Sequence, residues 1–99
     1  MAITRINQFE AKPGAEEKLH EFLRSVIATI ENCPGSLSCR LLRSTENPAC
    51  LAIIEEWDSV EAHTQHRGTP VHNAMREMTA KYQTTKSDGA HFVMHEVKR

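Results

Sequence analysis

The sequence predicts an α+β domain whose elements follow the order strand, helix, strand, strand, helix, strand. Two long segments carry apolar residues at helical spacing, and four others alternate as strands do. Turns containing proline, glycine or asparagine separate most of these segments. This order is the split plan of ferredoxin-like folds, β-α-β-β-α-β. A chain of 99 residues is expected to form a single domain spanning 1–99.

The first half of the chain predicts a strand followed by the clearest helix. The strand is expected at residues 2–10, where side chains alternate between the two faces of a sheet. One face carries Ile3, Arg5, Asn7 and Phe9. After a turn at 12–14, a helix is expected at 15–32, because apolar residues form a single stripe. That stripe consists of Leu19, Phe22, Leu23, Val26, Ile27 and Ile30.

The second half predicts two strands, a short helix, a longer helix and a last strand. The strands are expected at 37–43 and 50–57, and the second ends in the only tryptophan. Asp58 or Ser59 can cap a short helix that ends at Gly68. Thr69 and Pro70 suit the start of the next helix. A polar loop at 83–89 and a strand at 90–97 complete the pattern.

Composition narrows the possible partners and the location. The chain has 12 Lys+Arg against 13 Asp+Glu, so no basic surface for nucleic acid is expected. No apolar run approaches the roughly 20 residues that a membrane span needs, and the first residues do not resemble a signal peptide. The three cysteines, Cys33, Cys39 and Cys50, follow no paired pattern and are expected to be reduced thiols. A cytoplasmic location is therefore predicted.

The junction after the third strand is the candidate site, because an aromatic residue and two histidines converge there. His66 could act as a general base, since imidazole titrates near neutral pH. Asn7 could donate a hydrogen bond to an oxyanion. Trp57 could form a pocket wall or donate its indole N–H. The alternatives are a surface histidine for His66, a strand-edge polar residue for Asn7 and core packing for Trp57.

Four further residues are candidates for substrate binding. Phe9 and Arg5 share a strand face with Asn7, and His63 lies one helical turn before His66. Met75 belongs to the apolar stripe of the later helix and could be core or pocket lining. Arg5 could bind an anionic ligand or pair with a carboxylate such as Glu55. No metal site is expected, because His63 and His66 supply two ligands without an obvious third.

An ordered set of short motifs resembles the antibiotic biosynthesis monooxygenase family over nearly the whole chain. The set comprises Asn7-x-Phe9, Lys12-Pro13-Gly14, Cys33-Pro34-Gly35, Leu41-Leu42-Arg43, Glu56-Trp57, Glu61-Ala62, His66 and Thr69-Pro70. The resemblance implies a dimeric α+β barrel, in which two copies pack through their sheets. The family includes oxygenases that use neither metal nor flavin on quinol-like aromatics, haem-degrading enzymes and a ketose-phosphate isomerase.

The resemblance also argues against haem as a ligand. Asn7 sits where the haem-degrading branch has an asparagine. His66, however, stands where that branch has its catalytic tryptophan, and Arg76 stands where it has the haem-ligating histidine. His66 instead resembles the histidine of the quinol-oxidising and isomerase-like members.

The function predicted from the sequence is therefore a cofactor-independent monooxygenase that acts with molecular oxygen on a quinol-like or polycyclic aromatic molecule. A homodimer is expected, with no cofactor and with neither nucleic acid nor membrane as a partner. Two alternatives remain open. One is a small-molecule isomerase that uses the same pocket, and the other is a non-enzymatic ligand-binding dimer.

Overall fold

The computed structural model describes residues 2–84 in full and residues 88–92 by their backbone. The elements are β1 (Ile3–Glu10), α1 (Glu16–Glu31), β2 (Ser36–Arg43), β3 (Cys50–Trp57), α2 (Val60–Arg67), α3 (Pro70–Tyr82) and β4 (Asp88–Phe92). The strands form one sheet in the order β2-β3-β1-β4, and every neighbouring pair is antiparallel. The predicted ferredoxin-like α+β fold is confirmed.

The boundaries differ from the predicted ones mainly near the last strand. Ala15 and Asn32 are the caps of α1 rather than helical residues. Asp88 and Gly89, predicted to lie in a loop, belong to β4 because they pair with Gln8 and Asn7 of β1. This pairing outweighs the poor strand propensity of Asp and Gly. The predicted strand residues 93–97 lie outside the described part of the chain.

The core lies between α1 and one face of the sheet. The stripe on α1 buries Leu19, Leu23, Val26 and Ile30 against that face. The sheet contributes Ile3, Cys39, Leu51, Ile53 and Trp57. Each fully buried large side chain contributes about 1.5–3 kcal/mol through the area removed from water, so this contact fixes which sheet face lies beneath the helices.

Every second residue of β3 is buried on the core face, namely Leu51, Ile53, Glu55 and Trp57. These four residues therefore share one face of the sheet. The third of them is an acid, and an ionised carboxylate in a core needs hydrogen-bond partners. The β3 pattern therefore marks Glu55 as the residue whose burial requires an explanation.

The opposite sheet face carries apolar side chains and no helix of the described residues. Ile6 and Ile54 are paired in register there, as are Leu42 and Ala52. Leu42 is 46% exposed, whereas Ile6 and Ile54 are half-buried. Within the described residues, no helix is both long enough and apolar enough to cross a membrane.

Candidate functional site

The turn between α1 and β2 allows α2 to pack closely over the sheet. Gly35 has a φ of +84°, and a Cβ built on it would lie 2.6 Å from the Cβ of Ala62. The backbone N–H of Asp58 donates to the Gly35 carbonyl at 2.8 Å. The Ser59 hydroxyl then caps α2 by accepting from the Ala62 N–H at 3.1 Å. Glycine at 35 is therefore required both by the backbone conformation and by the approach of α2.

A second cap joins α2 to α3. The Thr69 hydroxyl accepts from the His72 N–H at 3.2 Å and donates to the His66 carbonyl at 2.7 Å. Pro70 occupies the first turn of α3, as predicted. These two caps fix the angle between the short helix and the long one, and so they set the positions of His63, His66 and His72.

A cavity of about 170 Å³ lies between the core face of the sheet and the three helices. Its polar lining comes from Arg5, Asn7 and Glu55 on the sheet, His63, His66 and Arg67 on α2, and His72, Arg76 and Thr79 on α3. Its apolar lining is Phe9, Leu23, Val26, Ile30, Ile53 and Met75. Six of the seven residues that the sequence singled out therefore meet at one cavity.

Trp57 is the predicted site residue that lies elsewhere. It is fully buried, and it does not belong to the described residues that line the cavity. Its indole N–H donates to Glu55 Oε1 at 3.0 Å. The structure thus places Trp57 behind the cavity, in the core, where it supports other site residues.

Glu55 links Asn7 to Trp57 on the sheet side of the site, a role that the sequence analysis did not identify. It is 3% exposed, and its other oxygen, Oε2, accepts from the Asn7 side-chain amide at 2.9 Å. Burial raises the pKa of Glu55, while the hydrogen bonds from Trp57 and Asn7 and the nearby Arg5 oppose the rise. The signal that could have revealed Glu55 is an acid at an inward position of an alternating strand.

Three histidines and Trp57 form a compact aromatic cluster. His66 stacks on Trp57 with ring centroids 5.3 Å apart, and His63 meets the same indole edge-on at 5.5 Å. His72 meets His66 edge-on at 5.1 Å. His63 and His66 are 2% and 7% exposed, so His66 is not the surface histidine of the alternative interpretation.

Cys33 links the end of α1 to His66. Its Sγ lies 3.4 Å from the Thr29 carbonyl oxygen and 3.4 Å from His66 Nδ1. A thiol has one proton. When that proton is directed at the carbonyl, His66 Nδ1 must carry the ring hydrogen and donate to the sulfur. The lone pair then resides on Nε2.

Burial controls the protonation of these groups. It lowers the pKa of His66, which keeps the imidazole neutral at pH 7. It also raises the pKa of the Cys33 thiol, which keeps the sulfur protonated and unsuited to nucleophilic attack. Across the described residues, no group of three or more His, Cys, Asp or Glu side chains is arranged to hold a metal ion. The site can therefore offer a neutral base and fixed hydrogen-bond donors.

Comparison with known proteins agrees with this architecture. Residues 2–78 match the family model described as antibiotic biosynthesis monooxygenase. The chain is 29% identical over 83 residues to a haem oxygenase (mycobilin-producing) from Mycobacterium tuberculosis, an alignment that covers 72% of this chain and 79% of that protein.

Two solved structures show the same fold. One is Rv0793 from Mycobacterium tuberculosis, with a TM-score of 0.87, 21% identity and full coverage of both chains. The other is SnoaB, a cofactor-independent oxygenase from Streptomyces nogalater, with a TM-score of 0.86 and 19% identity. The SnoaB match covers 97% of this chain and 95% of that one. At these identities the likeness establishes the fold alone.

Proposed function

This chain belongs to the antibiotic biosynthesis monooxygenase family, and from that premise we propose that it oxygenates a quinol-like aromatic molecule without a prosthetic group. The observation that carries the proposal is that a neutral, buried imidazole and an amide donor line one small cavity. A quinol that loses a phenolic proton becomes an anion rich enough in electrons to reduce oxygen. The protein then needs a base, a donor to the phenolate oxygen and protection from water.

His66 is proposed as the base. Its Nε2 accepts the phenolic proton, while Nδ1 keeps its hydrogen bond to the Cys33 sulfur. The quinol anion transfers one electron to O₂, and the resulting radicals combine to form a carbon–oxygen bond. The peroxide anion takes back the proton that His66 holds and becomes a hydroperoxide. Loss of water from the hydroperoxide leaves a hydroxyquinone. Overall, one quinol and one O₂ give one hydroxyquinone and one water, so one oxygen atom enters the ring and the other leaves as water.

Asn7 is proposed as the oxyanion donor. A primary amide has two N–H hydrogens, and the bond to Glu55 uses one of them. The second is left for the phenolate oxygen of a substrate in the cavity. Glu55 holds the amide in one orientation, which is the preorganisation that makes such a donor effective. In this proposal Trp57 acts indirectly, by holding Glu55 and supporting the ring of His66.

The apolar part of the cavity is proposed to position the ring and exclude water. Phe9 and Met75, with Leu23 and Ile53, line the cavity together with the charged groups. A substrate ring packed against these side chains would shield the carbanion from protonation by solvent. His63, which also lines the cavity, holds the edge of Trp57 in place.

The first experiment is oxygen uptake with a panel of hydroquinones, using protein stripped of metal and flavin. Uptake that depends on protein and quinol supports the oxygenase. Rapid exchange of a substrate C–H for deuterium without oxygen uptake would instead support the isomerase, since that reaction needs the same base and donor but no oxidant.

Haem oxidation is the competing activity, because one relative at 29% identity is a haem oxygenase. The cavity does not fit that ligand. At about 170 Å³ it is smaller than the roughly 300–1,000 Å³ of pockets for drug-sized molecules, and haem is larger than these. Nδ1 of His66 is engaged by Cys33, and α3 presents Arg76 where the family resemblance places the haem ligand.

Titration with haemin is therefore expected to produce no sharp Soret shift of a histidine-ligated complex. The measurement is an absorption titration at micromolar protein, with the His72→Ala variant as the control, because a histidine on α3 is the nearest substitute for the missing ligand. A tight one-to-one complex whose Soret band is lost in His72→Ala would contradict this expectation.

We propose a homodimer formed through the open sheet face, since Ile6, Ile54 and Leu42 lie there beneath no helix of the described residues. Sedimentation at micromolar concentration is expected to give about twice the 11.2 kDa monomer mass. Ile54→Glu should shift the protein towards monomer, because it places charge in the buried interface. Val71→Glu, on an exposed position of α3, should not. A monomeric wild type would contradict the dimer.

Cys33 is expected to matter for turnover through His66. Cys33→Ala should lower kcat about 3–10-fold, the equivalent of one lost hydrogen bond, while Cys33→Ser should recover most of it. In both variants and the wild type, kcat/KM should rise with pH through a midpoint below 6.5, since burial lowers the pKa of His66 and only its neutral form accepts a proton. Equal kcat in Cys33→Ala and wild type would show that the sulfur does not position the ring.

A further inference from the structure

Three arginines approach the cavity from three different elements. Arg5 comes from β1, Arg67 from the last turn of α2 and Arg76 from α3. Arg67 and Arg76 are exposed at the mouth, whereas Arg5 is half-buried. Arg67 lies near enough to lower the pKa of Arg5, after the larger effect of burial. Like charges gathered in this way cost free energy unless an anion offsets them.

Among the described residues, one carboxylate lies on the cavity wall with these three cations. Glu55 pairs in register with Arg5 across the strands and attracts it. Both Glu55 oxygens, however, already accept hydrogen bonds, one from Trp57 and one from Asn7. The described lining therefore keeps an excess of positive charge even after Glu55 is counted.

His72 provides a second observation that favours a bound anion, because one of its ring nitrogens lacks a hydrogen-bond partner among the described residues. Its Nδ1 is buried and has no hydrogen-bond partner among the described residues. Burial, followed by His66 and then the three arginines, lowers its pKa to about 4, so the ring is neutral at pH 7. A buried ring nitrogen without a partner is destabilising. In the neutral tautomer that carries its hydrogen on Nδ1, this nitrogen can donate to an oxygen of a bound anion.

The volume of the cavity limits the size of the molecule that carries the anionic group. An apolar cavity of about 150 Å³ accommodates benzene, and this cavity measures about 170 Å³. One aromatic ring with small substituents fits such a space, whereas a polycyclic molecule does not. The polycyclic part of the expected substrate range is therefore disfavoured.

Resting on the proposed function, we infer that the substrate is a single-ring quinol that carries one carboxylate. The phenolic oxygen lies between His66 and Asn7, and the carboxylate lies among Arg5, Arg67 and Arg76. Guanidinium groups suit this role because their forked N–H pattern matches a carboxylate. The arginines then select the substrate and orient its ring, so that the phenol meets the base.

Binding of unreactive probes under nitrogen tests this inference separately from turnover. We compare 4-hydroxybenzoate with 4-hydroxybenzamide, which has nearly the same shape without the charge, by isothermal titration calorimetry. The acid is expected to bind at least about tenfold more tightly, as charge-assisted hydrogen bonds imply. The double variant Arg67→Gln/Arg76→Gln should lose most of this preference, while Arg24→Gln, at an exposed position of α1 outside the cavity lining, should keep it. Because Arg67 and Arg76 are exposed, the double variant should fold normally.

Three results would overturn the inference. The first is equal affinity for the acid and the amide, and the second is a preference that survives in the double variant. The third is displacement of the acid by inorganic phosphate at the same concentration, which would indicate a site for any small anion. A wild type that prefers the acid yet consumes no oxygen with dihydroxybenzoates would leave this inference standing and remove the oxygenase proposal.

Discussion

Replacing His66 by alanine is expected to lower turnover about 10²–10⁴-fold, the range that general acid–base catalysis contributes. The effect should fall on kcat more than on KM, because the imidazole acts on the proton that moves in the transition state. Oxygen uptake with the best hydroquinone at saturating concentration measures it. His20→Ala provides the matched control, since His20 is a histidine on α1 outside the cavity lining.

A structural explanation of the His66 result must be separated from a catalytic one. His66 is buried and stacked on Trp57, so its removal leaves a gap as well as removing a base. His66→Gln fills much of that gap without a titratable nitrogen, and it should remain nearly as inactive as His66→Ala. Melting curves of both variants show whether the fold survives. Near-wild-type turnover in a folded His66→Gln would contradict the base assignment.

Replacing Trp57 by alanine is expected to cost about 3–5 kcal/mol of unfolding free energy, as large-to-small changes in a packed core do. Trp57 is fully buried, supports two imidazoles and donates to a buried carboxylate. This loss approaches the whole stability of a small domain. Chemical denaturation with urea, monitored by circular dichroism, measures the change.

Trp57→Phe separates the packing of this residue from its hydrogen bond. Phenylalanine keeps most of the buried area but removes the donor to Glu55, so the expected cost is about 1.5–3 kcal/mol, the value of a hydrogen bond to a charged group. It should also be smaller than the cost of Trp57→Ala. Equal stability of Trp57→Phe and wild type would show that the Glu55 bond contributes nothing to the fold.

Local features of the sequence predicted the helices and most strands. The apolar stripe that ends at Ile30 and the caps at Ser59 and Thr69 depend on residues within a few positions of one another. The alternation of β3 is equally local. The start of β4 was missed because Asp88 and Gly89 have low strand propensity, and only their pairing with β1 makes them a strand.

Sequence patterns identified six of the residues that line the cavity but not the contacts that connect them. Strand parity placed Asn7 on the helix side, and helical spacing placed His63 beside His66. The Asn7–Glu55 bond depends on the register between β1 and β3, which local patterns do not reveal. Cys33 and His66 are 33 positions apart along the chain. Their contact depends on the close approach of α2 to Gly35. Non-local packing thus supplied the contacts that hold Asn7 and His66 in place.

Following labelled oxygen during a single turnover tests most directly whether one atom of O₂ enters the quinol. Protein free of metal and flavin is mixed with a quinol and ¹⁸O₂, and the product is analysed by mass spectrometry. The expected product is a hydroxyquinone that carries one ¹⁸O atom, with one O₂ consumed per quinol and no hydrogen peroxide. A quinone without label, formed together with hydrogen peroxide, would contradict oxygen insertion, and the absence of any protein-dependent reaction across the quinol panel would contradict the oxygenase proposal altogether.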